Sequence, residues 1–416
     1  MEEKKQVAFL CHPYHRGGVT RWMADAAIAY AQKGFETYFL TLEPKQPFFS
    51  GTGRETMLEL LAKKHAGIHI LTLKVGRAFE FGTPEYCAFI YTKLFRGLPI
   101  GTPVILSDDS MVWMAGASLY NSFPLVGVLH ADEAYYYDLG KKYSFLVDVL
   151  VGVSTRVSRK IAAQLPSGGH PPVYTIPCGI NLPAVNKLSN KDNIIHLIYL
   201  GRITNYQKRV GDLVKIASRL KQNDIPFHLN IVGDGGEEKI ELQEQFKKQG
   251  LKNEVNFAGW LPQQEVSAAL NASDILLLTS DFEGTPIALM EALASGCGIV
   301  GTRVSGIEDY ENNPHSGQCF RVYDIGAVDD AVTKIREIAN VPMQQRQNAA
   351  RAIAETQFSM EVCLQRYSRA IAQIPPRVYI KPVIKLSPAK IITSHIISFG
   401  RYLKVKRSQR GGSKHR

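Results

Sequence analysis

Short apolar runs alternate with helical patterns along the first half of the chain. One helical pattern covers residues 19–32 and ends at Gly34, where a glycine suits the end of a helix. Strands that alternate with helices are typical of a parallel sheet covered on both faces. The apolar runs predicted as strands are residues 7–10, 35–42, 68–73, 104–106, 125–129, 149–153 and 173–176.

The same alternation restarts after a polar, patternless stretch at residues 182–193, which we predict as a linker. Two doubly wound halves joined by a linker enclose a cleft between them. The predicted strands of the second half are 194–200, 227–232, 254–257, 275–279 and 299–300, and its helices begin near residues 210, 237 and 263 and span 286–295, 327–339, 343–355 and 359–373.

Length and composition fit a globular protein of two domains. The chain has 416 residues, of which 45% are hydrophobic and 21% are charged. No run approaches the roughly 18 apolar residues of a membrane span, and the polar start of the chain gives no sign of a signal peptide. The six cysteines form no Cys-x-x-Cys pair, so we expect reduced, buried thiols in a cytoplasmic protein.

The net charge of +11 is concentrated at the end of the chain. Residues 377–416 contain eleven Lys or Arg and no Asp or Glu. Removing these eleven from the 49 basic residues leaves 38, which equals the 38 acidic residues of the chain. Because the body is neutral, we expect no nucleic-acid partner.

The basic tail also contains a candidate amphipathic helix. Its apolar residues at 391, 392, 396, 397, 399 and 403 share a broad helical face. A basic amphipathic helix suits the surface of an anionic membrane, where each Lys or Arg contributes about 1 kcal/mol. The alternative is a disordered, solubilising tail.

Two glutamates surround the predicted start of helix 286–295. Glu283 lies in the preceding loop, and Glu291 lies more than one turn inside the helix. Pro286 suits a first helical position, and the backbone N–H groups of Gly284 and Thr285 then face an anion. Carboxylates that reach hydroxyl groups beside a phosphate would form a sugar-nucleotide site. The alternative is an acidic helix start that only favours the helix dipole.

Two cations follow the first strand of the second half. Arg202 comes directly after that strand, and Lys208 lies six residues further on. Carboxyl ends of parallel strands are where ligands bind, and a guanidinium with an ammonium can hold a diphosphate. Two solvated cations in a loop are the alternative.

The loop after the first strand contains Arg16, Gly17 and Gly18. Glycines at this point let a ligand approach the backbone and the helix N-terminus closely, although a plain tight turn explains them equally well. The loop lacks the Gly-x-Gly-x-x-Gly fingerprint, which argues against an NAD enzyme.

A polar cluster follows the strand at residues 125–129. His130 ends this strand and is expected to face the cleft, with Asp132 and Tyr135 close behind it. A structural histidine and a packed helix face are the alternatives. His12 and His15 lack an obvious third ligand, and the pair Asp108–Asp109 is a weak signal, so we expect no metal site.

Together these residues resemble the retaining glycosyltransferases of family four, which have the GT-B fold of two facing Rossmann-like domains. The resemblance implies five segments: residues 1–181 as an acceptor-side domain, a linker at 182–193, a nucleotide-sugar-binding domain at 194–355, a helix at 356–375 that returns to the first domain, and a basic tail at 376–416. The matching motifs are Gly17-Gly18, His130, Val153-Ser154, residues 176–181, Gly201-Arg202 with Lys208, and residues 231–235, 255–259 and 283–291.

The resemblance also implies roles for individual residues. Arg202 and Lys208 would bind the diphosphate of the nucleotide sugar, and Glu291 would hold the ribose hydroxyls. Glu283 would lie beside the donor sugar, together with Gly284, Thr285, Pro286 and Ile287. His130 would meet the transferred sugar, and the loop at Gly17 and Gly18 would close on the phosphate. Arg16, Asp132 and Tyr135 are candidates for contacts with the acceptor.

The expected reaction is sugar transfer with retention of configuration, without a metal or other cofactor. The donor is a nucleotide sugar, with UDP as the default base, and the acceptor is a glycan or a lipid-linked glycan used for surface polysaccharide synthesis. The expected location is the cytoplasm or the cytoplasmic face of the membrane. A non-catalytic sugar-nucleotide-binding scaffold and a nucleotide-sugar epimerase of the same fold remain as alternatives.

Overall fold

The computed structural model describes residues 5–11, 18–44, 67–75, 83–106, 110–184 and 194–380, together with some helical positions between 389 and 404. In these residues the chain forms two lobes, each built on one parallel sheet. The predictions for Arg16, Gly17, His12, His15 and Asp108–Asp109, and for most of the linker, lie outside the described residues.

The first lobe contains a seven-stranded parallel sheet. Its strands β5 and β6 are buried along their whole length, as expected for a sheet covered on both faces. The strands are β1 (Gln6–Leu10), β2 (Glu36–Pro44), β3 (Ile68–Val75), β4 (Val104–Leu106), β5 (Leu125–Leu129), β6 (Val149–Gly152) and β7 (Val173–Thr175), in the spatial order β3-β2-β1-β4-β5-β6-β7.

Helices cover both faces of this sheet. The longest one packs a continuous apolar face against the core, including Trp22 and Tyr30, both of which are 2% exposed. The helices are α1 (Gly18–Gln32), α2 (Pro84–Leu94), α3 (Ser110–Met114), α4 (Gly116–Leu119), α5 (Ala134–Tyr143) and α6 (Thr155–Gln164).

The second lobe contains a six-stranded parallel sheet. Its last strand, β13 (Phe320–Tyr323), is absent from the sequence prediction and is a correction to it. The other strands are β8 (Ile195–Leu200), β9 (Phe227–Val232), β10 (Val255–Gly259), β11 (Ile275–Leu278) and β12 (Gly298–Thr302), in the order β10-β9-β8-β11-β12-β13.

The predicted helices of the second half are all present, with limits within two residues of those expected, whereas the short helices at Asn205–Lys208 and Ser316–Cys319 are absent from the prediction. After α14 the chain continues as a short π-helical segment, Ala354–Phe358, which the sequence did not predict. The helices are α7 (Asn205–Lys208), α8 (Gly211–Gln222), α9 (Glu237–Lys248), α10 (Gln263–Asn271), α11 (Ile287–Ala294), α12 (Ser316–Cys319), α13 (Val328–Ala339), α14 (Met343–Ile353) and α15 (Met360–Ala372).

The chain crosses between the lobes at two adjacent places. Ile180 forms a parallel bridge with Ser359: its N–H donates to the Phe358 carbonyl, and its own carbonyl accepts from Met360 N–H, both at 2.8 Å. Helix α15 then packs on α1, where the rings of Trp22 and Tyr367 lie 5.7 Å apart. The last helix of the second half therefore returns to the first lobe, and the architecture is the GT-B fold.

Residues after α15 are fastened to the first lobe. The Arg377 guanidinium donates to both oxygens of Asp148, at 2.6 and 2.9 Å, and to the Tyr120 carbonyl at 2.7 Å. Ile380 N–H also donates to the Asn121 carbonyl at 3.0 Å. The charge count groups Arg377 with the basic tail, but the structure makes it part of the lobe.

Further along the tail, the described positions between 389 and 404 are helical and exposed. Ile392, Ile396, Phe399 and Leu403 recur at the spacing of one helical face, and between 37% and 66% of the surface of each is exposed. In the described part of the chain, no helix combines the length and the apolar character that spanning a bilayer requires.

All six cysteines are buried and free of disulfide bonds. Burial raises the pKa of Cys319 and of Cys363 to about 12, so these thiols are protonated at neutral pH. The predicted burial of the thiols is confirmed.

Candidate functional site

The loop between β11 and α11 holds Glu283 inside the cleft. Glu283 is only 5% exposed, and its Oε1 accepts a hydrogen bond of 2.6 Å from Ser280 Oγ. The same oxygen forms an ion pair with the Lys208 ammonium. The sequence resemblance assigns Lys208 to the diphosphate and Glu283 to the donor sugar, but in this structure the two side chains neutralise each other.

Glu291 is the fifth residue of α11. This helix begins at Ile287 and has Pro286 as its N-cap. Pro286 therefore precedes the helix instead of starting it, and Gly296 follows the helix end with φ of 78°, as expected for a terminating glycine. Gln263 donates to Glu291 Oε1 at 2.7 Å. Burial raises the pKa of the Glu291 carboxyl, while Gln263 and the charge of Arg21 act in the opposite direction.

Arg202 lies at the carboxyl end of β8 and is exposed to the cleft. Its guanidinium donates to Gln207 Oε1 at 2.8 Å, and Gln207 Nε2 donates to the Phe282 carbonyl at 3.2 Å. The Tyr199 hydroxyl donates to the Arg202 carbonyl at 2.5 Å. This chain of hydrogen bonds links the Arg202 loop to the loop that contains Glu283.

The two lobes touch at the backbone of His130 and Gly284. A Cβ atom at Gly284 would lie 1.9 Å from the His130 carbonyl oxygen, so only glycine fits there. The Asp132 N–H donates to the Glu283 carbonyl at 2.9 Å. Behind this contact Gly306 has φ of 72°, and a Cβ there would lie 1.4 Å from the Gly284 carbonyl oxygen. Close backbone approach therefore brings the ends of β5 and β11 together across the cleft.

Helix α1 points its N-terminus at the second lobe. A Cβ atom at Gly18 would lie 3.0 Å from Ile287 Cγ1, so the starts of α1 and α11 face each other. Both helix starts carry backbone N–H groups without intrahelical acceptors. The fold thus brings together the starts of α1 and α11, both of which the sequence predicts to face a phosphate group.

Polar contacts reinforce the meeting of the lobes. Thr285 Oγ1 donates to the Val153 carbonyl at 2.6 Å, which adds an interlobe role to a predicted donor-binding residue. Further pairs are Ser154 Oγ with Ser305 Oγ at 2.6 Å, Thr155 N–H with Asp309 at 2.7 Å, and Arg156 Nε with Glu308 at 2.7 Å.

His130 is buried at the end of β5, where its ring lies edge-on to Trp22 at 5.7 Å. Asp132 accepts hydrogen bonds from the Tyr137 hydroxyl at 2.6 Å and from Lys160 at 2.7 Å. The Asp132 carboxylate is thus engaged within its own lobe, which favours a structural role. Tyr135 is 44% exposed, and its hydroxyl accepts from Ser110 N–H at 3.1 Å. Contacts of these residues with an acceptor stay a prediction.

A cavity of about 450 Å³ lies in the cleft beside Arg202. Glu133 contributes to it from the first lobe, at the start of α5, and the other lining residues follow β8, β9 and β11. Those second-lobe residues are Arg202, Ile203, Thr204, Tyr206, Gln207, Asp234, Gly235, Glu238 and Phe282. The sequence prediction named Arg202 as a site residue and placed Asp234 and Gly235 in a matching motif. It gave no site role to the others, of which Tyr206 and Gln207 lie between the two predicted cations.

The loop at residues 233–236 is shaped by packing within the second lobe. A Cβ atom at Gly233 would lie 1.8 Å from the Gly201 carbonyl oxygen, and one at Gly235 would lie 2.0 Å from the Ile203 carbonyl oxygen. These glycines let two neighbouring loops pass each other. Among the described residues, no group of three or more His, Cys, Asp or Glu is arranged to hold a metal ion.

Comparison with known proteins gives a family match over the second lobe. Residues 182–352 match the family model described as glycosyl transferases group 1. The chain is 29% identical over 188 residues to the amylovoran biosynthesis glycosyltransferase AmsK of Erwinia amylovora, covering 43% of this chain and 45% of the relative. It is 29% identical over 195 residues to the lipopolysaccharide 1,6-galactosyltransferase of Salmonella typhimurium, covering 46% of this chain and 52% of the relative. The matches thus span about half the length of these curated relatives.

Solved structures match over both lobes. A variant of S. aureus TarM, in complex with fondaparinux, alpha-GlcNAc-glycerol and UDP, has a TM-score of 0.70 at 12% identity, covering 88% of this chain and 99% of its own. Anabaena HepE, in complex with UDP and glucose, has a TM-score of 0.66 at 16% identity with the same coverage values. At these identities the likeness concerns the fold, and it confirms the predicted GT-B architecture.

Proposed function

We propose that this protein is a retaining glycosyltransferase that moves a sugar from a UDP-sugar to a glycan or lipid-linked acceptor. The observation that carries the proposal is that Arg202, Lys208 and Glu283 meet at the ends of β8 and β11, while Glu291 lies on α11, whose start faces the start of α1. The match of residues 182–352 to glycosyl transferases group 1 supports it. The relatives AmsK and the 1,6-galactosyltransferase act in polysaccharide or lipopolysaccharide synthesis according to their names.

In the proposed complex Arg202 and Lys208 bind the diphosphate, and Glu291 accepts hydrogen bonds from the ribose hydroxyls. Gly17 and Gly18 approach the phosphate, while Gly284, Thr285, Pro286 and Ile287 form the wall beside the donor sugar. UDP is the nucleotide that we propose for the donor, because the structural neighbours TarM and HepE were solved with it. Lys208 must then exchange Glu283 for a phosphate oxygen, which frees the Glu283 carboxylate for a sugar hydroxyl.

The proposed reaction forms one C–O bond and breaks another. The acceptor oxygen attacks the anomeric carbon from the face that the nucleotide leaves, and the bond between that carbon and the phosphate oxygen breaks. The proton of the acceptor hydroxyl passes to the departing UDP. Arg202 and Lys208 stabilise the developing charge, and removing one such donor costs about 2.7–4 kcal/mol of transition-state stabilisation in comparable sites. The chemistry proposed needs no metal, because the two cations neutralise the diphosphate.

The test is incubation with UDP-hexoses, with release of UDP and anomeric configuration followed by NMR. Wild-type protein should release UDP with the anomeric configuration of the sugar retained, even when water is the acceptor. Glu283→Ala should lose this activity and remain folded, whereas Glu265→Ala, an exposed glutamate in the first turn of α10, should keep it. An inverted product, or normal turnover by Glu283→Ala, would contradict the proposal.

The relatives bear the names of transferases, which favours transfer over the scaffold and epimerase alternatives. Product analysis without an acceptor separates these alternatives. A scaffold would bind UDP without releasing sugar, and an epimerase would return an isomerised UDP-sugar instead of free sugar.

We also propose that the tail places the protein on the cytoplasmic face of an anionic membrane. The described tail residues Ile392, Ile396, Phe399 and Leu403 are exposed on one helical face, and residues 377–416 contain no acidic residue. Flotation with phosphatidylglycerol vesicles should recover the full chain but not a chain that ends at residue 380. The shortened chain keeps Arg377 and Ile380, so its loss of binding cannot be attributed to a damaged first lobe. Equal flotation of both proteins would refute membrane binding by the tail.

A further inference from the structure

The cavity beside Arg202 shares only Arg202 with the described residues proposed above to bind the diphosphate and the ribose. Lys208, Glu283 and Glu291 are not among its described lining residues, and Arg202 is shared between the two places. A ligand in the cavity would therefore lie next to the diphosphate without replacing it. A volume of about 450 Å³ falls within the range of small-molecule sites, which is about 300–1,000 Å³.

An aromatic surface forms one side of this cavity. Tyr206 is 75% exposed, although it lies on a short helix inside the cleft. Its ring packs edge-on against Phe282, with centroids 5.4 Å apart and an angle of 73° between the ring planes. An exposed aromatic ring with an apolar body and a polar end is suited to cover the face of a sugar ring.

Carboxylates form the rest of the charged lining. Glu133, Asp234 and Glu238 oppose the single guanidinium of Arg202, so the charged lining side chains sum to −2. Lys239, which is not among the lining residues, lies 3.6 Å from Asp234 Oδ1 and offsets part of this charge. Glu238 is held in place, because its carboxylate accepts from Thr204 Oγ1 at 3.0 Å and from Asn205 N–H at 2.5 Å. Carboxylates accept hydrogen bonds from hydroxyl groups and repel phosphate or carboxylate groups.

We infer that this cavity binds the acceptor, and that the sugar residue it receives is neutral or carries an amino group. The inference rests on the proposed function, since a hydroxyl of that sugar would attack the donor beside Arg202. Tyr206 covers the face of the ring, and Glu133 and Asp234 accept hydrogen bonds from its hydroxyl groups. Glu133 comes from the opposite lobe, so the acceptor is bound between the lobes and not by the first lobe alone.

The test uses wild-type protein saturated with UDP and a panel of methyl hexosides. Saturation-transfer NMR should detect binding of at least one neutral hexoside or amino-hexoside, and the matched methyl glucuronide should bind at least tenfold more weakly. Tyr206→Ala should raise the Kd of that hexoside at least tenfold. Phe145→Ala removes an aromatic ring of similar exposure, 68%, outside the cavity, and should leave the Kd unchanged.

A charge variant separates binding from folding. Glu133→Gln should lower the ratio of the glucuronide Kd to the neutral-sugar Kd. A cavity that is merely destabilised would weaken both sugars and leave this ratio unchanged. The inference is overturned if no panel member binds, if the glucuronide binds as well as the neutral sugar, or if Tyr206→Ala binds like the wild type. Calorimetry with UDP distinguishes failure of the inference from failure of the proposed function. If UDP binds but no hexoside does, only the inference is refuted; if UDP does not bind, the proposed function is refuted.

Discussion

Replacing Lys208 with methionine should destabilise the second lobe, because it leaves the Glu283 carboxylate buried without its cation. The side chain of Glu283 is 6% exposed and that of Lys208 is 16% exposed. Removing one partner of a buried ion pair costs roughly 3–5 kcal/mol. The pair is partly exposed on the Lys208 side, and the hydrogen bond from Ser280 remains, so we expect about 2–3 kcal/mol.

This loss is large enough to measure by scanning calorimetry. For a unit of the size of one lobe, each kcal/mol lowers the melting temperature by about 2–4 °C, so the expected decrease is about 4–12 °C. The double variant Lys208→Met with Glu283→Gln removes both charges and should recover most of the stability, to within about 1 kcal/mol of the wild type.

Lys215 provides the matched control in the same lobe. It also pairs with a buried carboxylate, that of Asp212, but its own side chain is 62% exposed. Asp212 keeps Arg209 as a second partner, so Lys215→Met should cost less than about 1 kcal/mol. An unchanged melting temperature for Lys208→Met, or a double variant as unstable as the single one, would refute the pairing of Lys208 with Glu283.

Three further predictions concern the cleft and the tail. Gly284→Ala should lower kcat/KM at least about 100-fold with the fold retained, because its Cβ would clash with the His130 carbonyl; wild-type kinetics would contradict this. Arg377→Ala should lower the free energy of unfolding by about 2 kcal/mol in urea titrations by leaving Asp148 without its cation, and a loss below about 0.5 kcal/mol would argue against the attachment. Uridine affinity, measured by NMR titration, should fall as the pH is lowered, because the carboxylate form of Glu291 accepts hydrogen bonds from the ribose hydroxyls. The midpoint of this fall should lie above the ordinary glutamate pKa of about 4.3, since the pKa of Glu291 is raised, and Glu291→Gln should abolish the pH dependence.

The fold could be predicted because its strands are short apolar runs that alternate with helices. Strand β13 escaped because the charged Arg321 interrupts its apolar run, and the partner of Arg321, Glu337, is 16 positions away in the sequence. The π-helical segment Ala354–Phe358 escaped because the pattern of the preceding helix continues into it.

The location of the candidate site could also be predicted, since ligands bind at the carboxyl ends of parallel strands. Arg202 follows β8 and Glu283 follows β11, and these strands are neighbours in the sheet. The pairing of Lys208 with Glu283 could not be predicted, because it joins residues 75 positions apart. The attachment of Arg377 was hidden for a similar reason: a basic residue at the start of a charged tail has the sequence pattern of a solvated one.

The most direct test of the account is a crystal structure of the protein with UDP. We expect the diphosphate between Arg202 and Lys208, the ribose hydroxyls on Glu291, and the carboxylate of Glu283 released from Lys208. UDP bound outside the cleft, or a cleft that stays closed by the Lys208–Glu283 pair while UDP binds elsewhere, would contradict the central claim.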